Sequence, residues 1–388
     1  MLLKPIAALV LLAPVFADGV SSGLTVHEWG TFTSIADEDG SAVPWVSLAP
    51  PADLPCFVNH LSAQCVKCGP NKIRMETPVV YFYSPRPLTA SVHVDLPKGL
   101  ITEWYPQGKI VSSLSPGMTY GFDGNIEWSH VEVRPGAAPD FPNDGSASHY
   151  YAARDTDAAP LRVGDQAEKV LFYRGIAHFD VAIEPRFLPD GKLEIRNTGR
   201  EPIAFAMVFE NRRGKIGFRV LRDLRGKGLA DPPELTANLQ SVHEELAQAL
   251  VGAGLYPKEA AAMIETWRDS WFEEGLRVFY LTPRSTVDTE VPIRIAPKPD
   301  TLERVFVSRV EVLSPAMRET LETALETGDT NTLARCKRFL GPWMERLVLG
   351  RRIKISAAAE RFVAQAQRPP ASPAPCRGET LTLPTEQR

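Results

Sequence analysis

Cys56, His60, Cys65 and Cys68 place four soft donor side chains close together, in the spacing C-x3-H-x4-C-x2-C. Tetrahedral zinc takes thiolate and imidazole ligands of this kind. The spacing is more compressed than in the common zinc modules, so neither a metal nor any other cofactor is expected. The alternative chemistry is oxidation: a loop carrying Pro55, Gly69 and Pro70 closes with one disulfide, from Cys56 to Cys65 or Cys68. A redox role for Cys65-Val66-Lys67-Cys68 needs a helix N-terminus to stabilise the thiolate, and Gly69-Pro70 opposes a helix there. With Cys336 and Cys376 the chain holds five cysteines, an odd number that leaves one thiol unpaired or shared between chains.

Two further segments concentrate polar and aromatic groups. On a strand, His27-Glu28-Trp29-Gly30-Thr31-Phe32 puts His27, Trp29 and Thr31 on one face and Glu28 and Gly30 on the other. His27 and Glu28 then hold one ion together only across a bulge. The plain reading is a packed edge strand; the sharper one is a ligand groove involving His27, Glu28 and Trp29. Ser148 to Asp155 brings an imidazole (His149), two phenols (Tyr150, Tyr151) and a guanidinium (Arg154), a mixture suited to a small polar ligand and equally common where a loop enters a strand. Trp267-Arg268-Asp269-Ser270-Trp271 reads as core, because its tryptophans lie one helical turn apart.

Several specific chemistries fail on spacing. His243-Glu244-Glu245-Leu246-Ala247 lacks the second histidine of a metalloprotease helix, and no G-x-S-x-G, phosphate loop or dinucleotide fingerprint occurs. Asp37-Glu38-Asp39-Gly40-Ser41 is short of ligands for a calcium loop. A carboxylate pair for glycoside hydrolysis cannot be singled out from 47 acids, so no catalytic residue is assigned.

Charge is uneven. From Asp18 to Pro160 there are 8 Lys or Arg against 16 Asp or Glu (−8), and from Leu161 onward 34 against 31 (+3). An acidic front disfavours nucleic acid and anionic membrane as partners. The basic residues Arg212, Arg213, Lys215, Arg219, Arg222, Arg225 and Lys227 could attract an anion, yet no stacking aromatics interleave with them, and a solvated strand face accounts for them.

The elements that must position these groups are short. Four Asp-Gly pairs, at Asp39, Asp123, Asp144 and Asp190, mark hairpin turns. Strands are expected over Leu24 to Ile35, Val79 to Ser84, Ser91 to Leu96, Ile126 to Val133, Lys169 to Arg174, Phe179 to Phe187, Leu193 to Asn197, Ile203 to Glu210 and Ile216 to Leu221. The period then lengthens to a helical hairpin, with Leu235, Leu239, Val242, Leu246 and Leu250 on one stripe and Ala260, Met263, Ile264 and Trp267 on the next. Strands return at Leu276 to Leu281, Asp288 to Ile295 and Arg304 to Leu313, followed by helices over Pro315 to Thr327 and Thr330 to Leu349. Spaced strands of this kind suggest a sandwich.

Val26 to Ser34, Met75 to Ser84 and Thr266 to Gly275 together resemble an uncharacterised family of exported bacterial proteins, marked by the His-Glu-Trp-Gly-Thr-Phe segment after a signal peptide. The resemblance implies one architecture and no reaction, and the Cys56 to Cys68 cluster lies outside its pattern. Independently, Lys4, the apolar run Pro5 to Phe16 and Val15-Phe16-Ala17 before Asp18 have the layout of a cleaved secretory signal, too short to span a bilayer.

The expectation is therefore a β-rich α+β protein with sandwich-like antiparallel sheets and two inserted helical hairpins. It divides into a signal peptide (1–17), a β-sandwich-like region (18–228), a mixed helix and strand region (229–365) and a disordered tail (366–388). A periplasmic or secreted binding or assembly protein is expected, with an extracellular ligand or envelope component as partner, no nucleic acid and no membrane span. The alternative is a hydrolase or lyase on an extracellular polymer, using His149, Tyr150 and Arg154, or His27 and Glu28. Whether His27, His149 and Glu76 meet in one pocket separates the two.

Overall fold

The computed structural model describes residues 22–45, 54–61, 72–114, 122–348, 353–366 and 376. The expected signal peptide, Cys65, Cys68 and nearly all of the expected disordered tail lie outside these residues.

The fold is β-rich α+β. Its centre is a nine-stranded sheet in the order Lys215–Leu224, Ile203–Arg212, Gly275–Leu281, Thr301–Val312, Thr25–Ala36, Ile73–Tyr83, Leu171–Ala177, Gly99–Tyr105 and Asn59–His60. Every pairing in it is antiparallel except that of Thr25–Ala36 with Thr301–Val312, which run parallel through twelve residues. The sheet takes strands from both sides of position 228. Thr25–Ala36 is central rather than an edge, and every residue from Val26 to Ala36 is buried, because both faces of the sheet are covered.

One face packs on a second sheet built from Ile293–Ala296, Leu88–Leu96, Phe122–Val133, Leu161–Val163 and Gln166–Glu168, with Lys109–Leu114 also paired to Phe122–Val133. Val26, Phe32, Val80, Phe82 and Tyr173 from the first sheet meet Val92, Val94, Ile126, Trp128 and Val131 from the second, a sandwich core. A three-stranded sheet, Ile183–Phe187, Leu193–Asn197 and Lys227–Ala230, covers the far end of the same sheet through Ile183, Leu193 and Ile195.

The other face is covered by helices. Leu239–Gly252, whose N-cap Asn238 accepts from the Ser241 N–H, buries Val242, Leu246 and Leu250. Pro257–Thr266 starts on proline and buries Ala260, Met263 and Ile264. Trp267 and Trp271 are buried and stacked at 6.4 Å, as core. The last strand leads into Pro315–Thr327, Thr330–Arg335, Lys337–Val348 and Ala357–Ala366, which enclose Ile35, Trp45, Leu321, Phe339 and Trp343. Among the described residues no helix is long and apolar enough to cross a membrane.

Two local expectations fail for identifiable reasons. Asp123-Gly124 is not a turn: Gly124 lies inside a strand, where the backbone of Gly99 and Leu100 comes so close that a Cβ would sit 2.9 Å from the Gly99 carbonyl oxygen. Asp288 to Ile295 is not one strand either. Arg284–Glu290 is helical, burying Val287, and the strand begins only at Ile293.

Candidate functional site

The helix-covered face of the nine-stranded sheet carries a stripe of charge across its neighbouring strands. Along Thr25–Ala36 the side chains on this face are His27, Trp29, Thr31 and Thr33, which follows from strand alternation. Thr33 sits opposite Arg309 on one side and Arg74 on the other, Thr31 opposite Glu76, Glu311 opposite Arg277, Arg174 opposite Glu103, and Glu103 opposite His60. The stripe thus runs through seven adjacent strands, from Arg277 to His60.

Bulges aim it. Pairing slips between Trp29 and Thr31, leaving Thr77 and Pro78 opposite Gly30, with Thr77 at φ 51°. That extra residue returns Glu76 to the same face as Val79 and Tyr81. A second slip leaves Thr102 as the extra residue next to Glu103, while Arg174 reaches this face by plain alternation from Phe172.

The groups are buried, apart from half-buried Arg74, Glu273 and Arg338, and tightly coupled. Arg309 Nε donates to Glu311 Oε1 at 2.6 Å and its Nη2 to Glu273 Oε1 at 2.8 Å, while Arg277 Nε lies 2.8 Å from the same Glu311 oxygen. Thr33 Oγ1 donates to Glu76 Oε2 at 2.6 Å, and Arg338, from the Lys337–Val348 helix, reaches Glu76 Oε1 from above, with Arg74 Nε 3.4 Å away. Arg309 and Arg338 both lie over the Phe339 ring, at 5.1 and 5.7 Å.

The environment shifts the titration of several of these groups. Burial alone would raise the Glu76 carboxyl, but Arg338 and Arg74 with the Thr33 hydroxyl overcome it and hold it down at about 2. Burial, only partly offset by Glu311, pulls Arg277 down to about 10. Burial and the nearby Glu274 push the Cys336 thiol up to about 12. His60 is lowered by burial and stays neutral at physiological pH.

The stripe is incompletely satisfied. Among the described residues Arg309 Nη1, Glu311 Oε2, Thr31 Oγ1, Arg338 Nε and both His60 ring nitrogens have no hydrogen-bond partner. Most buried polar atoms in folded proteins are paired, so a group of orphans on one face is uncommon.

The residues singled out in the sequence fall elsewhere. His27 Nδ1 lies 2.8 Å from Glu259 Oε2, whose other oxygen accepts from the Tyr83 hydroxyl. Glu28 points to the opposite face, accepting from Tyr173 and Arg304, so it shares nothing with His27. Trp29 is core between Tyr81 and Val305. His149, Tyr150 and Arg154 occupy a short 3₁₀ turn: His149 Nε2 is 2.9 Å from Asp269, while Tyr150 and Arg154 both donate to buried Glu168. His27, His149 and Glu76 each keep separate partners, and His27 and Glu76 are about four residues of strand, roughly 13 Å, apart. They do not converge.

Cys56 is a correction. It is bonded to Cys376 rather than to Cys65 or Cys68. Its N–H donates to Asp144, which also accepts from Tyr151, so the Cys56 segment is fixed against the 3₁₀ turn. Among the described residues no three His, Cys, Asp or Glu side chains are grouped as metal ligands.

Sequence reasoning missed Arg74, Arg174, Arg277, Arg309, Glu311 and Arg338. A usable signal was present in Val305-Phe306-Val307-Ser308-Arg309-Val310-Glu311-Val312, where charges alternate with valines in a strand apolar on both faces. No protein-family model and no curated protein matches the chain.

Proposed function

We propose that this is an exported binding protein of the periplasm or extracellular space, and that its ligand engages the charged stripe on the helix-covered face of the main sheet. The observation that carries this is the set of orphaned groups at its centre: an Arg309 N–H, a Glu311 carboxylate oxygen and the Thr31 hydroxyl, all on buried residues. Arg309 and Glu311 alternate along one strand face, and Thr31 lies diagonally across from Arg309 on the next strand. Such a spread of donors and an acceptor suits an extended polar ligand that offers both, such as a saccharide or a peptide. The Cys56–Cys376 disulfide fits an oxidising compartment.

Recognition fits these groups better than hydrolysis. General acid–base catalysis uses a group that titrates near the working pH, and Glu76 and Cys336 are each driven away from it. Native mass spectrometry of the mature protein, purified from an exporting host without denaturant, tests the reading. A retained ligand that Thr31→Val, a near-isosteric change, releases, with the ligand-free variant melting where the ligand-free wild type does, is the expected result. A bare chain that no polar compound in a saccharide and peptide panel stabilises sinks it.

A further inference from the structure

At the opposite end of the Thr25–Ala36 strand lies an open cleft of about 570 Å3, lined by Tyr83, Pro85, Pro135, Thr156, Asp157 and Lys169 among others. Most of its polar side chains are already committed. The Tyr83 hydroxyl donates to Glu259, the Ser84 hydroxyl to the Arg86 carbonyl, and Asp157 is held by Lys258 at 2.5 Å. Two groups are not. Thr156 is 7% exposed, and its Oγ1 has no hydrogen-bond partner among the described residues. The half-buried Lys169 has no side-chain ion pair or hydrogen bond among them, and burial lowers its ammonium pKa against the opposing pull of Asp157.

We propose that this cleft binds a carboxylate, with the Lys169 ammonium and the Thr156 hydroxyl as its donors. A partly desolvated ammonium with no direct ion pair is costly even with Asp157, Glu168 and Asp155 nearby, and an arriving carboxylate offsets that cost while accepting a hydrogen bond from the hydroxyl. Among the described residues Lys169 is the unpaired cation lining the cleft, which matches a single negative charge, and the acids around it disfavour a dianion such as a phosphate monoester more than a monoanion. The prolines on the rim hold the cleft's shape before binding. The proposal stands apart from the charged stripe and does not rest on it.

Isothermal titration of the mature, disulfide-intact protein tests it with matched probes: D-galacturonate against D-galactose, and N-acetyl-Ala-Ala against its C-terminal amide. The acids bind and the neutral analogues do not. Which acid binds tells whether the carboxylate belongs to a sugar or to a peptide end. Lys169→Met weakens the acid roughly ten- to hundredfold, the effect of losing one charged hydrogen bond, and Thr156→Val weakens it less. Failure of both acids to bind, equal binding of acid and neutral analogue, or wild-type affinity in folded Lys169→Met overturns the proposal.

Discussion

Glu76 shows at the residue scale how the stripe is held. Its folded carboxyl titrates at about 2, against 4.5 for the free group, because Arg338, Arg74 and Thr33 outweigh burial. A lowered folded pKa means stability that is complete above about pH 4.5 and lost as pH falls through about 2. Glu76→Gln should therefore cost about 3–5 kcal/mol at neutral pH, as for one partner removed from a buried pair. The gap to wild type should close between those two pH values in guanidinium titrations; a gap independent of pH would mean the pairing is not ionic. Cys336 makes a second residue-scale prediction. Buried beside Met317, with its thiol pushed up to about 12, it has almost no thiolate at pH 8. Iodoacetamide should label the Cys336 peptide only after denaturation, as peptide mapping would show.

At the scale of elements, the strands depend on close backbone approach. A Cβ at Gly175 would meet the Leu100 carbonyl oxygen at 2.6 Å, where the backbone cannot yield. Gly175→Ala should destabilise by about 1–3 kcal/mol and disturb the bulge at Thr102 on the partner strand, visible as a lower Tm and changed amide exchange along Leu171–Ala177. Most elements were legible, because strand alternation and helical stripes are local signals: Ile203–Arg212, Leu193–Asn197 and Pro315–Thr327 lie close to where the pattern puts them. The face assignment of His27, Trp29 and Thr31 followed from alternation alone. The stripe did not, because it is made of register. Arg309 meets Glu76 and Arg338 only after three strands and a helix have been placed, and no spacing within one segment encodes that. Gly124 misled for a related reason: Asp-Gly favours turns locally, but here the glycine is required by a neighbouring backbone far off in sequence.

For the whole molecule, Cys56–Cys376 ties residues 320 apart in sequence. Closing so long a loop restricts the unfolded chain strongly, so Cys376→Ser should lower stability by about 2–5 kcal/mol, and reductant should shift the Tm of the wild type but not of the variant. A Tm insensitive to both would show that the covalent tie adds nothing to the packed sheets. The parallel pairing of Thr25 with Thr301 spans 276 residues and lies at the middle of the main sheet. A ribosome adding roughly 5–20 residues per second needs on the order of 15–55 s to bring the second strand out after the first. Throughout that interval the Trp29 and Phe32 strand is a sticky, half-made edge. Its fate then is a matter of timing: whatever keeps the nascent chain open and unaggregated must do so for that long, whatever stability the finished sheet goes on to reach.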